Sequence, residues 1–361
     1  MRWLFSIGRI AGTDVKVHLT FFLLVAYVAW GAYQEGGSAA AVTRTLFILG
    51  LFLCVLLHEF GHILMARRFG VRTPEVILLP IGGVARLERL PDRPRQEFLI
   101  AIAGPAVTLL IAVVLYLGIR LLGGSPGLPD ENLANVPYFT QLLWANVVLL
   151  GFNLIPAFPM DGGRVLRAIL ASRLGLVRGT RVAASVGQVL AIVGGLYGLN
   201  GGPPMLVLIA FFVFLGASAE ASAVETRVAG EGLQVAQMMV TDFRTIPIHA
   251  TLSQAVELLL SGEQREFPVV DNLGRTEGIL TRDNLIRGLN QRGPNSTVAE
   301  AMTANVPSVP PTMGFQEALD RLRSSGLPAL PVIDQIGKLV GLLTLDNITD
   351  LLLVRRARPS R

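Results

Sequence analysis

His58-Glu59-Phe60-Gly61-His62 stands inside an apolar stretch that runs from Val42 to Ala66, and the reading of these five residues decides what kind of protein this is. On a helix, residues four apart differ by about 40° and about 6 Å, so both imidazoles reach one metal ion while Glu59 lies beside the open coordination position. A divalent ion such as zinc lowers the pKa of its water to about 7, and an adjacent carboxylate can take that proton and deliver it to a leaving amine. Ionisable groups are costly in hydrocarbon and rarely lack a partner or a function. The alternative is a chance match, which the apolar setting and a total of four histidines argue against.

Two histidines do not complete such a site, because zinc hydrolases of this kind use three protein ligands and a water. Another apolar stretch, Tyr138 to Phe158, ends in Asn153-Leu-Ile-Pro-Ala-Phe-Pro-Met-Asp161-Gly-Gly-Arg164. Pro156 and Pro159 break helical hydrogen bonding there, and the two glycines permit a tight turn. An aspartate at membrane depth needs a cation, so Asp161 is the best third ligand. Its other readings are an N-cap for a helix beginning at Gly162 and a salt bridge to Arg164.

Working outward, the chain has 361 residues, 52% apolar and only 16% charged. Soluble domains carry about 25% charged residues, so a bilayer is expected to absorb the excess. Six stretches approach the length of a span, about 20 residues: Val17–Tyr33, Val42–Ala66, Phe98–Leu122, Tyr138–Phe158, Val182–Leu199 and Pro204–Ala219. The first also has the flanks of a signal peptide, although it exceeds the usual apolar region of 7–15 residues. Starting with the N-terminus inside, Arg67, Arg68, Arg72, Arg86, Arg89, Arg93 and Arg95 fall in one inside connection. Arg164, Arg167, Arg173, Arg178 and Arg181 fall in the next. The opposite connections hold Glu35, then Arg120 with Asp130 and Glu131, and then no charge. This asymmetry follows the positive-inside rule and accounts for the net charge of +5 without nucleic-acid binding. Spans two and four then run in the same direction, and both motifs lie near their inside ends. Cys54, the single cysteine, excludes an internal disulfide and is expected to pack.

Composition shifts near Ala223. Val235–Leu289 aligned on Val298–Leu352 at an offset of 63 gives 17 identities in 55 positions without a gap, an internal duplication. Phe267-Pro-Val-Val-Asp271 matches Leu330-Pro-Val-Ile-Asp334, and Gly278-Ile-Leu-Thr-Arg-Asp-Asn284 matches Gly341-Leu-Leu-Thr-Leu-Asp-Asn347. Each repeat predicts two strands around a turn at Gly274 or Gly337, then a helix capped by Thr281 or Thr344.

The two membrane motifs together resemble the site-2 protease family of intramembrane zinc metalloproteases, and the duplicated unit resembles a pair of CBS domains. The expected architecture is a polytopic α-helical membrane protein with six transmembrane helices and a membrane-associated β-hairpin, followed by an α/β tandem CBS pair. The expected divisions are a membrane domain at 1–222, a linker at 223–231, CBS repeats at about 232–290 and 295–352, and a basic tail at 353–361. The resemblance implies proteolysis of single-span membrane substrates near the cytoplasmic face, such as anti-sigma factors or membrane-tethered regulators. It implies one zinc ion on His58, His62 and Asp161, with Glu59 as general base. Asn153 and Pro159 match positions that hold substrate near the metal. Leu79-Pro-Ile-Gly82-Gly83-Val-Ala85 resembles a hairpin whose edge pairs with extended substrate, a reading that suits the sequence-independent hydrogen bonding of a strand edge. The chain would be a multi-pass protein of the cell membrane, with its N-terminus and CBS pair in the cytoplasm and a homodimer formed through the CBS domains.

Two positions depart from the family pattern. Where an asparagine often follows Gly-Pro by three residues, Gly104-Pro105 is followed by Thr108, read here as a secondary element. Adenine nucleotide binding by the CBS pair would involve Thr281, Asp283, Asn284, Thr344, Asp346 and Asn347. Asn284 and Asn347 stand at the usual place of a ribose-binding aspartate, and a neutral amide makes a weaker contact. The competing classes are a CBS-gated transporter or channel, which should carry several pathway-lining charges or inverted repeats, and an inactive scaffold, which would not need all four site residues. His18, Trp3, Trp30 and Tyr33 are expected at the membrane interface, and His249 at the surface.

Overall fold

The computed structural model describes residues 3–80, 82–86, 88, 91, 93–127 and 136–357, so Ile81, Arg89, Asp130, Glu131 and the end of the basic tail lie outside the described residues. The chain divides into two compact units, Met1–Val224 and Glu225–Arg361.

The first unit opens with strands β1 (Leu4–Ile10) and β2 (Thr13–His18), followed by the long helical element α1 (Leu19–Arg68). Alternation of buried Thr13, Val15 and Val17 with half-buried neighbours gives β2 one packed face. His18 caps α1, its ring Nδ1 accepting from the Thr20 amide at 3.3 Å. The helix breaks at Gly36 and Gly37, where φ of +67° at Gly37 is a conformation that side chains disfavour. Two apolar arms result, and the second carries His58, Glu59 and His62.

Strands β3 (Glu75–Leu79) and β4 (Gly82–Arg86) form the expected hairpin, and they join a larger sheet of order β1-β2-β3-β4 in which β2 and β3 run parallel. The sheet packs on both arms of α1: Val15 and Val76 against Phe60 and Ile63 of the second, and Val17 and Leu78 against Phe21 of the first and Phe52 of the second. Lys16 reaches across to Glu75 at 2.6 Å. Strand β4 is an edge of this sheet.

The described residues of the unit also form α2 (Pro94–Leu121), α3 (Tyr138–Leu154), α4 (Asp161–Leu174), α5 (Leu176–Leu199) and most of α6 (Met205–Gly230), which runs on past Val224. Among the described residues α1, α2, α5 and α6 are long and apolar enough to cross a membrane, and α3 is a shorter apolar helix of 17 residues. As the prolines predicted, α3 stops at Leu154 and an irregular segment with a cis Phe158–Pro159 bond leads to α4. Arg167, expected in a charged inside connection, is 1% exposed. Its guanidinium contacts Glu97 of α2 at 2.7 Å and Glu220 of α6, and lies 5.0 Å from the ring centroid of Phe158. Two carboxylates and an aromatic face satisfy a cation that composition alone assigns to water.

The second unit runs β5 (Ile246–Pro247), α7 (Leu252–Leu260), β6 (Glu266–Val270), β7 (Thr276–Thr281), α8 (Arg282–Arg292), α9 (Val298–Ala301), β8 (Thr303–Ala304), α10 (Phe315–Ser325), β9 (Ala329–Ile333), β10 (Leu339–Thr344) and α11 (Leu345–Ala357). Thr281 and Thr344 accept from the amides of Asn284 and Asn347, at 3.2 and 3.1 Å, as the cap reading required. The repeats exchange their leading segments. Leu233, Val235 and Met238 lie in the core built by Phe315, Leu330 and Leu343 of the second repeat, while Val298 lies in the core of the first with Phe267 and Leu280.

Candidate metal and catalytic centre

His58 and His62 lie on one face of α1 with ring centroids 4.8 Å apart, as spacing of four residues dictates. Their Nε2 atoms are 3.2 Å from each other, and each is 3.1 Å from Asp161 Oδ2 at the first turn of α4. All three residues are buried, with exposures of 4%, 5% and 8%. Asp161 is the first residue of α4, whose N-cap is Met160, so it is not an N-cap; its other oxygen is 3.8 Å from Arg164.

The second ring nitrogens decide what these atoms can hold. His62 Nδ1–H donates to the Ile100 carbonyl at 2.7 Å, and a carbonyl can only accept. His58 Nδ1 meets the Thr108 hydroxyl at 2.8 Å, and that hydroxyl donates onward to the Gly104 carbonyl at 3.4 Å, which leaves it to accept from the imidazole. In the neutral rings both Nε2 atoms are thereby left as lone pairs. Two imidazole lone pairs and a carboxylate oxygen then face one another with no donor between them, a set that fits a divalent cation and matches the N and O ligands of zinc. Thr108, treated as secondary in the sequence, is completely buried and orients the His58 ring. An inward position one helical turn after Gly104 was the available signal.

Small residues permit this approach. A Cβ on Gly104 would overlap the His62 ring and come within 2.8 Å of His58 Nε2. Helix α2 therefore passes directly behind the imidazoles. Gly83 of β4 does the same for Glu59: a Cβ there would stand 2.6 Å from Glu59 Cγ.

The ligand atoms and Glu59 open into a cleft of about 1000 Å³. Gly82, Gly83, Asn153 and Pro159, each singled out in the sequence, all line it. The Arg164 guanidinium is a further polar group on its wall. Cys54 is buried and is not among the lining residues.

In the second unit, Thr344, Asp346 and Asn347 line a cleft of about 1120 Å³ with Asp242, Arg244, Glu266 and Arg282. Thr281, Asp283 and Asn284 are not among its lining residues. Both asparagine amides are already engaged, Asn284 with Thr303 Oγ1 at 2.9 Å and Asn347 with the Met238 carbonyl at 2.5 Å. Burial, together with the nearby charges of Asp346 and Asp283, pushes Glu266 above the ordinary carboxyl pKa.

Comparison with known proteins identifies the family of each unit. The model of peptidase family M50 matches residues 46–127 and 127–194, and that of the CBS domain matches 235–291 and 298–354. Zinc metalloprotease MJ0392 of Methanocaldococcus jannaschii is 34% identical over 285 residues, 79% of this chain and 80% of the relative. The Rip3 protein of Mycobacterium tuberculosis, a zinc metalloprotease by name, is 29% identical over 99% of this chain and 94% of its own length. Among solved structures, the site-2 protease from Methanocaldococcus jannaschii is 37% identical, covering 61% of this chain and 95% of that one, with a TM-score of 0.46.

Proposed function

The chain belongs to peptidase family M50, and from that premise we propose that it is an intramembrane zinc endopeptidase cutting single-span membrane proteins near the cytoplasmic face. The observation that carries this reading is the convergence of His58 Nε2, His62 Nε2 and Asp161 Oδ2 in a cleft that Glu59 and the edge strand β4 also line.

His58, His62 and Asp161 would hold one zinc ion per chain, and that ion would supply Lewis-acid activation of water near neutral pH and stabilisation of charge on the substrate carbonyl oxygen. Glu59 accepts the proton of the attacking water and returns it to the departing amine nitrogen. Thr108 and the Ile100 carbonyl hold the two imidazoles in the ligating tautomer throughout. A transmembrane helix has satisfied its own backbone, so the substrate unwinds locally before it is cut. The edge of β4 at Gly82 and Gly83 then offers main-chain hydrogen bonds to the extended segment, and Asn153 and Pro159 position it from the opposite wall.

Six spans accommodate the apolar segments: the two arms of α1, then α2, α3, α5 and α6. The N-terminus and the C-terminal unit are cytoplasmic, a reading that the arginine distribution supports. The membrane domain is 1–222, the linker 223–231, the CBS pair 232–352 and the basic tail 353–361. The substrate class is a membrane-tethered regulator or anti-sigma factor. The CBS pair serves as a homodimerisation module. An adenine nucleotide, where it binds, uses Thr344 and Asp346, because the Asn347 amide is engaged elsewhere.

The test is cleavage of a single-span peptide by purified protein. Glu59→Gln is expected to retain zinc and bind the peptide while losing cleavage, and wild-type rates from that variant would refute the role of Glu59. Calorimetry of the full chain with ATP, ADP and AMP up to millimolar concentrations tests the nucleotide; no heat would remove it.

A further inference from the structure

Arg44 has no place in the machinery described above. It lies two residues inside the apolar stretch that begins at Val42, and it lines the same cleft as Glu59. Among the described residues it makes no hydrogen bond or ion pair. The positive-inside rule does not account for it either, since the opposite end of this arm carries Arg67 and Arg68. A guanidinium at the end of an apolar groove, with no partner among the described residues, is free to meet an acidic group that enters the groove.

The shape of the cleft indicates the partner. One wall is a stripe of α1 that starts at Arg44 and continues through Phe47, Leu51 and Val55 to His58, at the three- and four-residue spacing of a single helix face. The facing wall is a stripe of α3, with Trp144, Val148 and Phe152 at the same spacing. The Tyr138 hydroxyl donates to the Leu46 carbonyl at 3.1 Å, which sets the first turns of α3 beside the Arg44 end, while Asn153 lies at the Glu59 end. From Arg44 to Ile63 the groove is about 28 Å long at 1.5 Å per residue, close to the ~30 Å of bilayer hydrocarbon. The α1 wall has that full length, the α3 stripe from Trp144 to Phe152 faces about 12 Å of it, and an apolar groove between two ridged helix faces matches one more transmembrane helix.

We propose that Arg44 is a specificity-determining residue that pairs with an aspartate or glutamate on the transmembrane helix of the substrate, at the end of the groove remote from the scissile bond. The proposal rests on the peptidase reading and adds the register of the substrate to it. Arg44 and His58 are separated by about 21 Å of helix. A fully helical substrate spans that distance with about 14 residues, whereas about four extended residues next to the cut reduce the number to about nine. The acidic residue therefore lies about 9–14 residues from the scissile bond.

The test uses the full-length protein in phosphatidylcholine vesicles and apolar single-span peptides carrying one Asp, Asn or Lys at successive positions. Affinity is measured on the Glu59→Gln form, so the result does not depend on turnover, and cleavage is measured on the wild type. The Asp peptide in register is expected to bind about tenfold more tightly than its Asn counterpart, and Arg44→Ala should erase that difference. Arg44→Glu should transfer the preference to the Lys peptide at the same position. Equal affinities for Asp, Asn and Lys at every position, in wild type and in both variants, would overturn the proposal and leave Arg44 as an anchor to lipid phosphate. If no peptide is cut at all but the charge preference persists, the peptidase reading fails and the pairing stands. If peptides are cut without regard to charge, the pairing alone fails.

Discussion

The Thr108 hydroxyl sits 2.8 Å from His58 Nδ1 and 3.4 Å from the Gly104 carbonyl, so a single buried side chain fixes which nitrogen of the neutral His58 ring carries the proton. Removing such an outer partner of a histidine ligand costs about 10–100-fold in metal affinity. Thr108→Val is expected to weaken zinc binding in that range, while Thr108→Ser, which keeps the hydroxyl, should stay near wild type. Competition with a chromogenic chelator reads both. A Thr108→Val protein with unchanged zinc affinity would remove the tautomer argument.

Gly104 supplies a steric counterpart. Because a methyl group there would overlap the His62 ring and approach His58 Nε2, Gly104→Ala must push one imidazole off its ligating position or part α1 from α2. The expected result is protein that purifies with normal helicity by circular dichroism but with well under one zinc per chain by metal analysis. Full zinc occupancy in Gly104→Ala would show that the two helices yield without disturbing the ligands.

How much of this was legible in the sequence depends on which interactions are local. His58, Glu59 and His62 share a helix, so their spacing alone put them on one face. Asp161 was found through the prolines that end α3 and through the cost of a lone carboxylate at depth. The duplication was visible because it is written in identities such as Pro268 with Pro331 and Asp283 with Asp346. What stayed hidden was mostly long-range packing. Strands β1 and β2 lie among cations ahead of a span and read as its flank, yet β2 pairs with β3, which starts some 60 positions later. Arg167 counted as a solvent-facing charge because its carboxylates come from α2 and α6, far away in the chain. Likewise the exchange of leading segments between the repeats leaves their sequence alignment unchanged.

The Arg167 cluster carries a stability prediction. One guanidinium is shared by Glu97 and Glu220, and Arg167 and Glu97 are almost completely buried. Arg167→Met leaves two carboxylates facing each other without a cation, and breaking a buried pair in this way costs about 3–5 kcal/mol. Thermal unfolding in detergent should show a markedly lower midpoint. Replacing all three, Glu97→Leu, Arg167→Met and Glu220→Leu together, should recover most of the loss, since an apolar replacement of a buried triad is often neutral or stabilising. A triple variant no more stable than Arg167→Met alone would mean that the cation, rather than its matched charges, is what the helices need.

In the second unit Glu266 gives a pH dependence of defined sign. Burial, aided by the charges of Asp346 and Asp283, raises its pKa on folding. The folded unit therefore favours the protonated form, and this contribution to stability is complete below the ordinary carboxyl pKa and disappears as pH rises through the folded value. At pH 7–8 the ionised side chain is a burden that Glu266→Gln relieves. Calorimetry of the full chain should show the C-terminal transition about 2 °C higher in Glu266→Gln at pH 8, with the two proteins converging near pH 4. Because Glu266 and Asp346 both line the cleft of this unit, a cation placed between them would act in the same direction as the substitution. A transition that is equally displaced at pH 4 and pH 8 would assign the effect to packing and not to charge.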